Sequence, residues 1–398
     1  MRAGHILILV QNLPVPFDRR VWLESVSLVE AGYDVSVISP VPPGEEPHQT
    51  IDGIRVRRYP QPPASSGMLS YFSEYVHSYR WTSKLTRRVW QEQHFDVIHT
   101  CNPPDLFWAI ARQYRRRGVK FVFDHHDLVP ELYLSKFGRR DPLHQALRWL
   151  EARQFATADA VISTNESYRE VAMTRGRKPA DLVTVVRSGP EMARFKRVTP
   201  DPSLKRGREH LVVYLGVMNS QDGVDYALRA VRHAIDKGLA TASFAFIGSG
   251  DVFDELVDLA DRLGLDEVVT FTGRIPNEEL ATYLSTADLA LAPDPHNPLN
   301  DVSTMNKIVE YMAMGLPIIS FDLKESRVSA RDAAVYVPAN DTEKMGEAII
   351  ELLADPRRRT TMGRFGRKRF EQELAWEYSK RELIDFYDRL LGVSSRDA

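Results

Sequence analysis

A chain of 398 residues with 43% hydrophobic and 27% charged content and a formal net charge of −2 has the composition of a soluble globular protein too long for one ordinary core, so two domains are expected. No stretch approaches a membrane span, the opening MRAGHILILVQN reads as a first strand and not a signal peptide, and the single cysteine, Cys101, excludes an internal disulfide or a cysteine metal site and fits a cytoplasmic location. Residues 1–190 carry 25 Lys and Arg against 20 Asp and Glu, whereas residues 191–398 carry 27 against 34, so a basic half with one set of partners precedes an acidic half with another.

In chain order, HILILV (5–10), VSVIS (35–39), VIH (97–99), VKFVF (119–123), AVIS (160–163) and VTVV (183–186) read as strands buried on both faces. Helical patterns at 20–31, 106–117 and 142–156 lie between them. That alternation predicts a parallel sheet with helices on both sides. Residues 68–92 stand apart, because aromatics at 71, 72, 75, 79, 81 and 90 are interleaved with Arg80, Lys84, Arg87 and Arg88. Such a surface suits peripheral contact with anionic lipid headgroups. The alternative, a helix pair with aromatic core positions and solvated cations, is favoured because the apolar stripe is not clean. RQYRRRGVK (112–120) reads as a helix end decorated with cations, and no nucleic-acid motif accompanies either cluster.

FVFDHHDLVPELY (121–133) follows a strand directly, which places Asp124, His125, His126 and Asp127 in the ligand loop of a doubly wound domain. Adjacent histidine side chains diverge and no third ligand is evident, so no metal site is expected. A histidine held by an aspartate at a strand end suits hydrogen bonding or proton chemistry. A structural histidine that satisfies loop backbone groups is the competing reading.

After the polar segment 187–208 the pattern restarts, with strands at 212–215, 244–247, 268–271, 289–291 and 318–321 and helices at 223–236, 251–263, 277–286 and 304–314. A final amphipathic helix is expected at 376–391. Gly248 and Gly250 in FIGSGD would let backbone approach a nucleotide, and Arg274 in FTGRI would face the same crevice. In DVSTMNKIVEYMAMGLPIIS (301–320), Ser303 or Thr304 is the expected N-cap and Gly315 the C′ glycine. Lys307 and Glu310 share a stripe with Ser303. The helix N-terminus with Lys307 suits phosphate oxygens, and Glu310 suits sugar hydroxyls. A capped surface helix whose Lys and Glu pair in solvent is the alternative. Three strand-end loops and one helix start converge on a phosphate-bearing nucleotide as ligand.

Taken together, PFDRRVWLESVSLVEAGYDVSVIS, FDHHDLVPELY, VVRSGPEMARF, YLGVMNSQDGVDYALRA, FIGSGD, VTFTGRIPNEELATYLSTADLALAP and STMNKIVEYMAMGLPIIS resemble the family 4 glycosyltransferases over nearly the whole chain. The resemblance implies an α/β GT-B fold of two facing Rossmann-like, doubly wound parallel-sheet domains with a cleft between them. The expected divisions are 1–190 for the acceptor domain, 191–372 for the donor domain and 373–398 for a helix that packs back toward the first. The family's active-site histidine falls on His126 and its ribose-binding glutamate on Glu310.

Three departures accompany the match. The first glutamate of the Glu-seven-residues-Glu motif is replaced by Val302, which leaves Asp301 or Asp294 to supply that contact. The cations of the phosphate loop fall on Val217 and Asp222, which leaves Lys307 as the candidate cation. The N-terminal Gly-Gly loop is replaced by PVPFDRR, with Pro16, Asp18 and Arg19 near the expected acceptor side, together with Asp127. The resemblance implies a retaining, metal-independent transfer from a UDP- or GDP-linked sugar to a hydroxyl acceptor in polysaccharide, glycolipid or glycoconjugate synthesis. Lipid-linked acceptors at the inner face of the membrane are within that range, and no other cofactor is expected. The N–H groups at Ser303 and Thr304, with Asn306 and Arg187, would help meet the leaving diphosphate. A silent GT-B partner subunit and a sugar-nucleotide epimerase of the same architecture are the competing functions, and oligomeric state is unread.

Overall fold

The apolar runs become strands buried on both faces, and the helices between them return the chain to the same edge, so neighbouring strands run parallel. The computed structural model describes residues 4–42, 44–61 and 68–393, with side chains described from residue 73 onward in the last segment. Two units result: one holds the chain up to Leu134, Gly138–Ser188 and the chain from Ser379, and the other holds Ser135–Phe137 and Gly189–Tyr378.

The first unit contains β1 (His5–Leu9), α1 (Arg19–Glu30), β2 (Asp34–Pro40), β3 (His48–Ile51), β4 (Ile54–Tyr59), α2 (Met68–Glu92), β5 (Val97–Cys101), α3 (Trp108–Arg115), β6 (Lys120–His125), most of α4 (Val129–Phe137), α5 (Pro142–Thr157), β7 (Ala160–Ser163), α6 (Glu166–Thr174) and β8 (Val183–Val185). Its sheet runs β3-β4-β2-β1-β5-β6-β7-β8, and among these β3 pairs antiparallel with β4. Central β1 is held in register on both sides, with Leu7 opposite Ser36 on β2 and Ile98 on β5. The sequence reading passes over β3 and β4: HQTI is polar and largely exposed, and IRVRRY alternates arginines with apolar residues, as strands at a sheet margin do.

Residues 68–92 form one long helix, not a pair. Tyr79, Trp81 and Trp90 pack with buried Leu85 and Val89 on the core, while Arg80, Lys84, Arg87 and Arg88 are exposed. Tyr71 and Phe72 lie outside the described side chains. Among the described residues no helix is long and apolar enough to cross a membrane.

The second unit contains β9 (His210–Leu215), α7 (Val224–Asp236), β10 (Ala242–Ile247), α8 (Phe253–Arg262), β11 (Val269–Gly273), α9 (Asn277–Thr286), β12 (Leu289–Ala292), α10 (Asn306–Ala313), β13 (Ile318–Phe321), α11 (Lys324–Ala330), β14 (Ala334–Val337), α12 (Thr342–Ala354) and α13 (Pro356–Arg369). Its sheet runs β11-β10-β9-β12-β13-β14, all parallel. The period of two divides β9 between two cores: Val212 and Tyr214 enter one, Leu211 and Val213 the other. Edge strand β14 escapes the sequence reading because only Val337 of its four residues is buried. A last helix, α14 (Trp376–Leu391), buries Leu383 and Tyr387, and its part from Ser379 belongs to the first unit.

Candidate active site

In each sheet the strand order reverses direction beside the first strand, between β1 and β5 and between β9 and β12, and loops from such a point diverge to leave a crevice at the carboxyl edge. The predicted site residues gather at these two edges.

At the first edge, β6 points Asp124 and His126 to one side and His125 to the other. His125 is buried among the rings of Phe123, Phe155 and Tyr168, so it is a core residue. Asp124 is fully buried and its Oδ2 lies 2.5 Å from His126 Nε2. Arg20, on the first turn of α1, places Nη2 3.0 Å from Asp124 Oδ1 and Nε 3.0 Å from Glu24 Oε1. The same guanidinium donates from Nη1 to Val186 O and Ser188 Oγ, both at 2.8 Å, which ties α1 to the end of β8. Asp18 caps α1, accepting Val21 N–H at 3.1 Å, and so fixes where Arg20 emerges.

His99 completes this network, with Nε2 3.2 Å from Asp124 Oδ2 and Nδ1 2.6 Å from Tyr387 Oη. Burial lowers His99, despite Asp124, and pushes Tyr387 well above the usual phenol range. A neutral ring that donates from Nε2 and accepts the Tyr387 O–H at Nδ1 satisfies both contacts. Burial would raise Asp124, but Arg20, His126 and the hydrogen bonds of His126 and His99 outweigh it and hold it well below the usual range. Glu24 goes the other way, pushed well above its usual range by burial and then by Asp124, against Arg20. The network therefore carries one firm negative charge, on Asp124, beside one firm positive charge, on Arg20.

Arg20 Nε also lies 2.8 Å from His126 Nε2, yet that nitrogen cannot both accept from Arg20 and donate to Asp124. The short contact to an ionised carboxylate is the stronger of the two, so Nε2 carries the proton and Nδ1 is left for a substrate hydroxyl. The loop is pinned by Asn102, whose Oδ1 accepts from the N–H groups of His126 at 2.7 Å and Asp127 at 3.1 Å, while its Nδ2 donates to Asp127 O at 2.7 Å. The His126 side chain is 14% exposed, that of Arg20 9%, and those of Asp124 and Glu24 are at 0%, so His126 is the most exposed of these four. Glu24, Asp124 and His126 bring three ligand-type atoms within 4.8 Å of one another, but the Arg20 guanidinium already supplies the cation there.

The other first-unit candidates surround this edge. Pro16 and Arg19 are half-buried in and beside the loop after β1, and Arg187 is half-buried between the two groups that accept from Arg20. Burial pushes the Asp127 carboxyl up. Arg20, Glu24, His99, Asn102 and Tyr387 are absent from the sequence reading. The i, i+4 spacing of Arg20 and Glu24 on an amphipathic helix was the available signal for two of them; His99 and Tyr387 are 288 residues apart and left none.

At the second edge the expected cap is corrected. Helix α10 starts at Asn306 with Met305 at the N-cap, so neither Ser303 nor Thr304 occupies that position. Residues 300–302 form a turn of 3-10 helix, and Ser303 Oγ donates back to Leu299 O at 2.8 Å, so the polar loop closes on itself before the helix begins. The far end follows the expectation: Gly315 is left-handed at φ +65°, Leu316 N–H reaches Tyr311 O at 3.0 Å, and Gly315 N–H reaches Met312 O at 2.9 Å.

Lys307 is not the open cation that its stripe suggested. It is 7% exposed, its Nζ bonds Asp294 Oδ1, and it lies 5.2 Å from the centre of the Tyr214 ring. Burial alone would lower the ammonium, but Asp294, then Asp222, hold it above its usual value. Asp294, offered by the sequence as a substitute for the missing glutamate, is thereby engaged, and its Oδ2 is buried without a partner among the described residues. Asp222, where the resemblance puts a phosphate-loop cation, is raised to about 6 by burial, against Lys307. It accepts Asn219 N–H at 3.0 Å.

Gly248 and Gly250 serve the loops themselves. A Cβ on Gly248 would meet Gly216 O at 1.9 Å and one on Gly250 would meet Met218 O at 2.3 Å, so the turns after β9 and β10 touch backbone to backbone. Arg274 is exposed as expected and donates from Nε to Ser249 Oγ at 3.1 Å. Asn306 is exposed, and Val302 and Glu310 are half-buried. Asp301 Oδ1 accepts Lys324 N–H at 2.9 Å, at the start of α11.

Comparison with known proteins agrees with this division. A family model described as "Glycosyl transferase 4-like domain" matches residues 19–189, and one described as "Glycosyl transferases group 1" matches residues 209–355. The α-maltose-1-phosphate synthase of Mycolicibacterium smegmatis is 26% identical over 292 residues, 69% of this chain and 74% of that protein. The α-D-kanosaminyltransferase of Streptomyces kanamyceticus is 25% identical over 330 residues, 78% of this chain and 82% of that protein. Among solved structures, sucrose-phosphate synthase from Thermosynechococcus elongatus superposes with a TM-score of 0.83 at 19% identity, covering 98% of this chain and 100% of that one. The Anabaena protein HepE in complex with UDP-glucose gives 0.72 at 14% identity, covering 97% and 100%. With two glycosyltransferase models matched along successive parts of the sequence and the fold shared over nearly its full length, the chain belongs to the family 4 glycosyltransferases and has the GT-B fold.

Proposed function

We propose that this GT-B glycosyltransferase moves a sugar, with retention, from a nucleoside diphosphate sugar to a hydroxyl acceptor. The donor is UDP- or GDP-linked, needs no bound metal, and is held by the strand-end loops of the second unit; solved relatives of the same fold carry UDP or UDP-glucose. The product belongs to polysaccharide, glycolipid or glycoconjugate synthesis, with lipid-linked acceptors within reach of a protein working at the inner face of the membrane.

The observation that carries this reading is His126: a ring oriented by an ionised, buried Asp124 and a pinned loop, yet open to solvent at the carboxyl edge. In the proposed step the acceptor oxygen attacks the anomeric carbon on the face that the phosphate leaves. The bond from that carbon to the phosphate oxygen breaks, and the departing phosphate takes the acceptor proton. His126 Nδ1 accepts a hydroxyl of the transferred sugar and fixes its position. Glu310 binds ribose hydroxyls, while the N–H groups at the start of α10 and Arg274 meet the diphosphate. Lys307, already paired, holds the loop of Asp294 and lends the site a part of its charge. Replacing His126 with Ala should abolish transfer and leave nucleotide affinity within about twofold, since loss of a transition-state contact lowers turnover without changing ground-state binding. Undiminished turnover would remove His126 from the reaction.

A further inference from the structure

The second unit as a whole is acidic, but its helix α13, PRRRTTMGRFGRKR, has seven cations in fourteen residues and no carboxylate. One wall of an open groove of about 640 Å³ is formed by this helix, with Arg359, Arg364 and Arg367; Lys196 and Arg197 lie on another side. The one acidic side chain of that lining, Asp288, is already neutralised, since its Oδ2 accepts from Lys205 Nζ at 2.8 Å and Leu211 N–H at 3.0 Å.

The groove is built, not a chance gathering of surface arginines. Arg359 Nη1 donates to Leu352 O at 2.8 Å, and Arg367 donates from Nη1 to Phe195 O at 3.1 Å and to Ala313 O and from Nε to Glu371 Oε1 at 2.6 Å, so backbone carbonyls, and for Arg367 one carboxylate, hold both guanidinium groups in place before any ligand arrives. The floor is backbone: a Cβ on Gly363 would meet Gly315 O at 2.2 Å, which seats α13 directly on the turn after α10. Arg364 and Lys196 are exposed and form no hydrogen bond or ion pair among the described residues. The lining stretches Ala287–Asp288 and Leu316–Pro317 enter β12 and β13, so the groove is at the amino edge of the parallel sheet, opposite the loops assigned to the donor. Positioned planar forks with two extendable cations match tetrahedral oxyanions at several points.

We propose that this groove is a second anion site, separate from the donor loops, for a small ligand bearing two or more phosphates. The probe is inorganic tripolyphosphate, titrated calorimetrically at 0.15 M salt, an ionic strength that screens exposed charges beyond about 8 Å. The wild-type chain should bind it saturably. The double substitution Lys196→Ala, Arg364→Ala should weaken binding about tenfold or more, as the loss of charge-assisted hydrogen bonds implies. Arg359→Lys, which keeps the charge and removes the fork, should also weaken it several-fold. Circular dichroism checks that each variant folds. Non-saturable binding by the wild type, or a double variant that binds as the wild type does, would overturn the site. Full affinity in Arg359→Lys would reduce the groove to general attraction of anions and overturn it as well.

Discussion

Arg20 is the residue on which the first-unit site depends most, because it is the cation that lets Asp124 stay ionised without solvent. Replacing it with Met leaves the buried Asp124 carboxylate without its cation, and removing one partner of a buried pair costs about 3 to 5 kcal/mol. Urea denaturation of Arg20→Met should show that loss, and turnover should fall with it because His126 loses its fixed acceptor. A midpoint equal to the wild type's would mean that the guanidinium does not hold the network. Asp222 gives a pH signature at the other edge. Its folded value of about 6 exceeds the usual 3.8, so the contribution is fully stabilising below about pH 4 and is lost as pH rises through 6. Asp222→Asn should therefore be more stable than the wild type at pH 8, by about 1 to 3 kcal/mol, and no more stable at pH 4. Donor affinity should carry the same sign: the charged Asp222 repels a diphosphate, so affinity for a sugar nucleotide should rise as pH falls from 7.5 to 5.5, and Asp222→Asn should flatten that rise. A pH-independent affinity in the wild type would place the diphosphate away from Asp222.

At the scale of elements, the strand-end loops after β9 and β10 are one packed unit. Gly248 has φ +133° and its missing Cβ makes room for Gly216 O, so Gly248→Ala combines backbone strain with a clash. A cost of about 2 to 4 kcal/mol and a loss of donor binding are expected, measured by thermal denaturation and nucleotide titration. A wild-type melting temperature would mean that the loops separate easily. The buried strands, most of the helices between them and the glycine stop of α10 were legible because period and turn chemistry are local properties of sequence, whereas β3, β4 and β14, polar or half-exposed at the sheet margins, were not. The start of α10 was not. Ser303 and Thr304 have the right chemistry for a cap, but Met305 takes that place and the hydroxyl of Ser303 closes the preceding turn instead. The burial of Lys307 is illegible for the same kind of reason: its stripe on the helix is visible in the sequence, whereas its pairing with Asp294, thirteen residues earlier, is decided by how the loop folds over it. The family pattern points to His126, but the residues that orient it come from α1, β5, β6 and α14, elements scattered from one end of the chain to the other.

For the whole molecule, the two units divide the chemistry as they divide the charge. The first, basic by sequence, carries a fixed imidazole; the second carries the strand-end loops, where the family's phosphate-loop cation is replaced by a carboxylate and the nearest lysine is already paired. On the proposed function, a donor site built this way draws on backbone N–H groups and Arg274 more than on lysine charge. The most direct test is calorimetric titration of the full chain with UDP, GDP and their common sugar conjugates, with and without a chelator. The expected result is micromolar binding of one nucleotide and its sugar conjugate, unchanged by the chelator. A folded protein that binds none of them would contradict the donor assignment, and with it the proposed transfer.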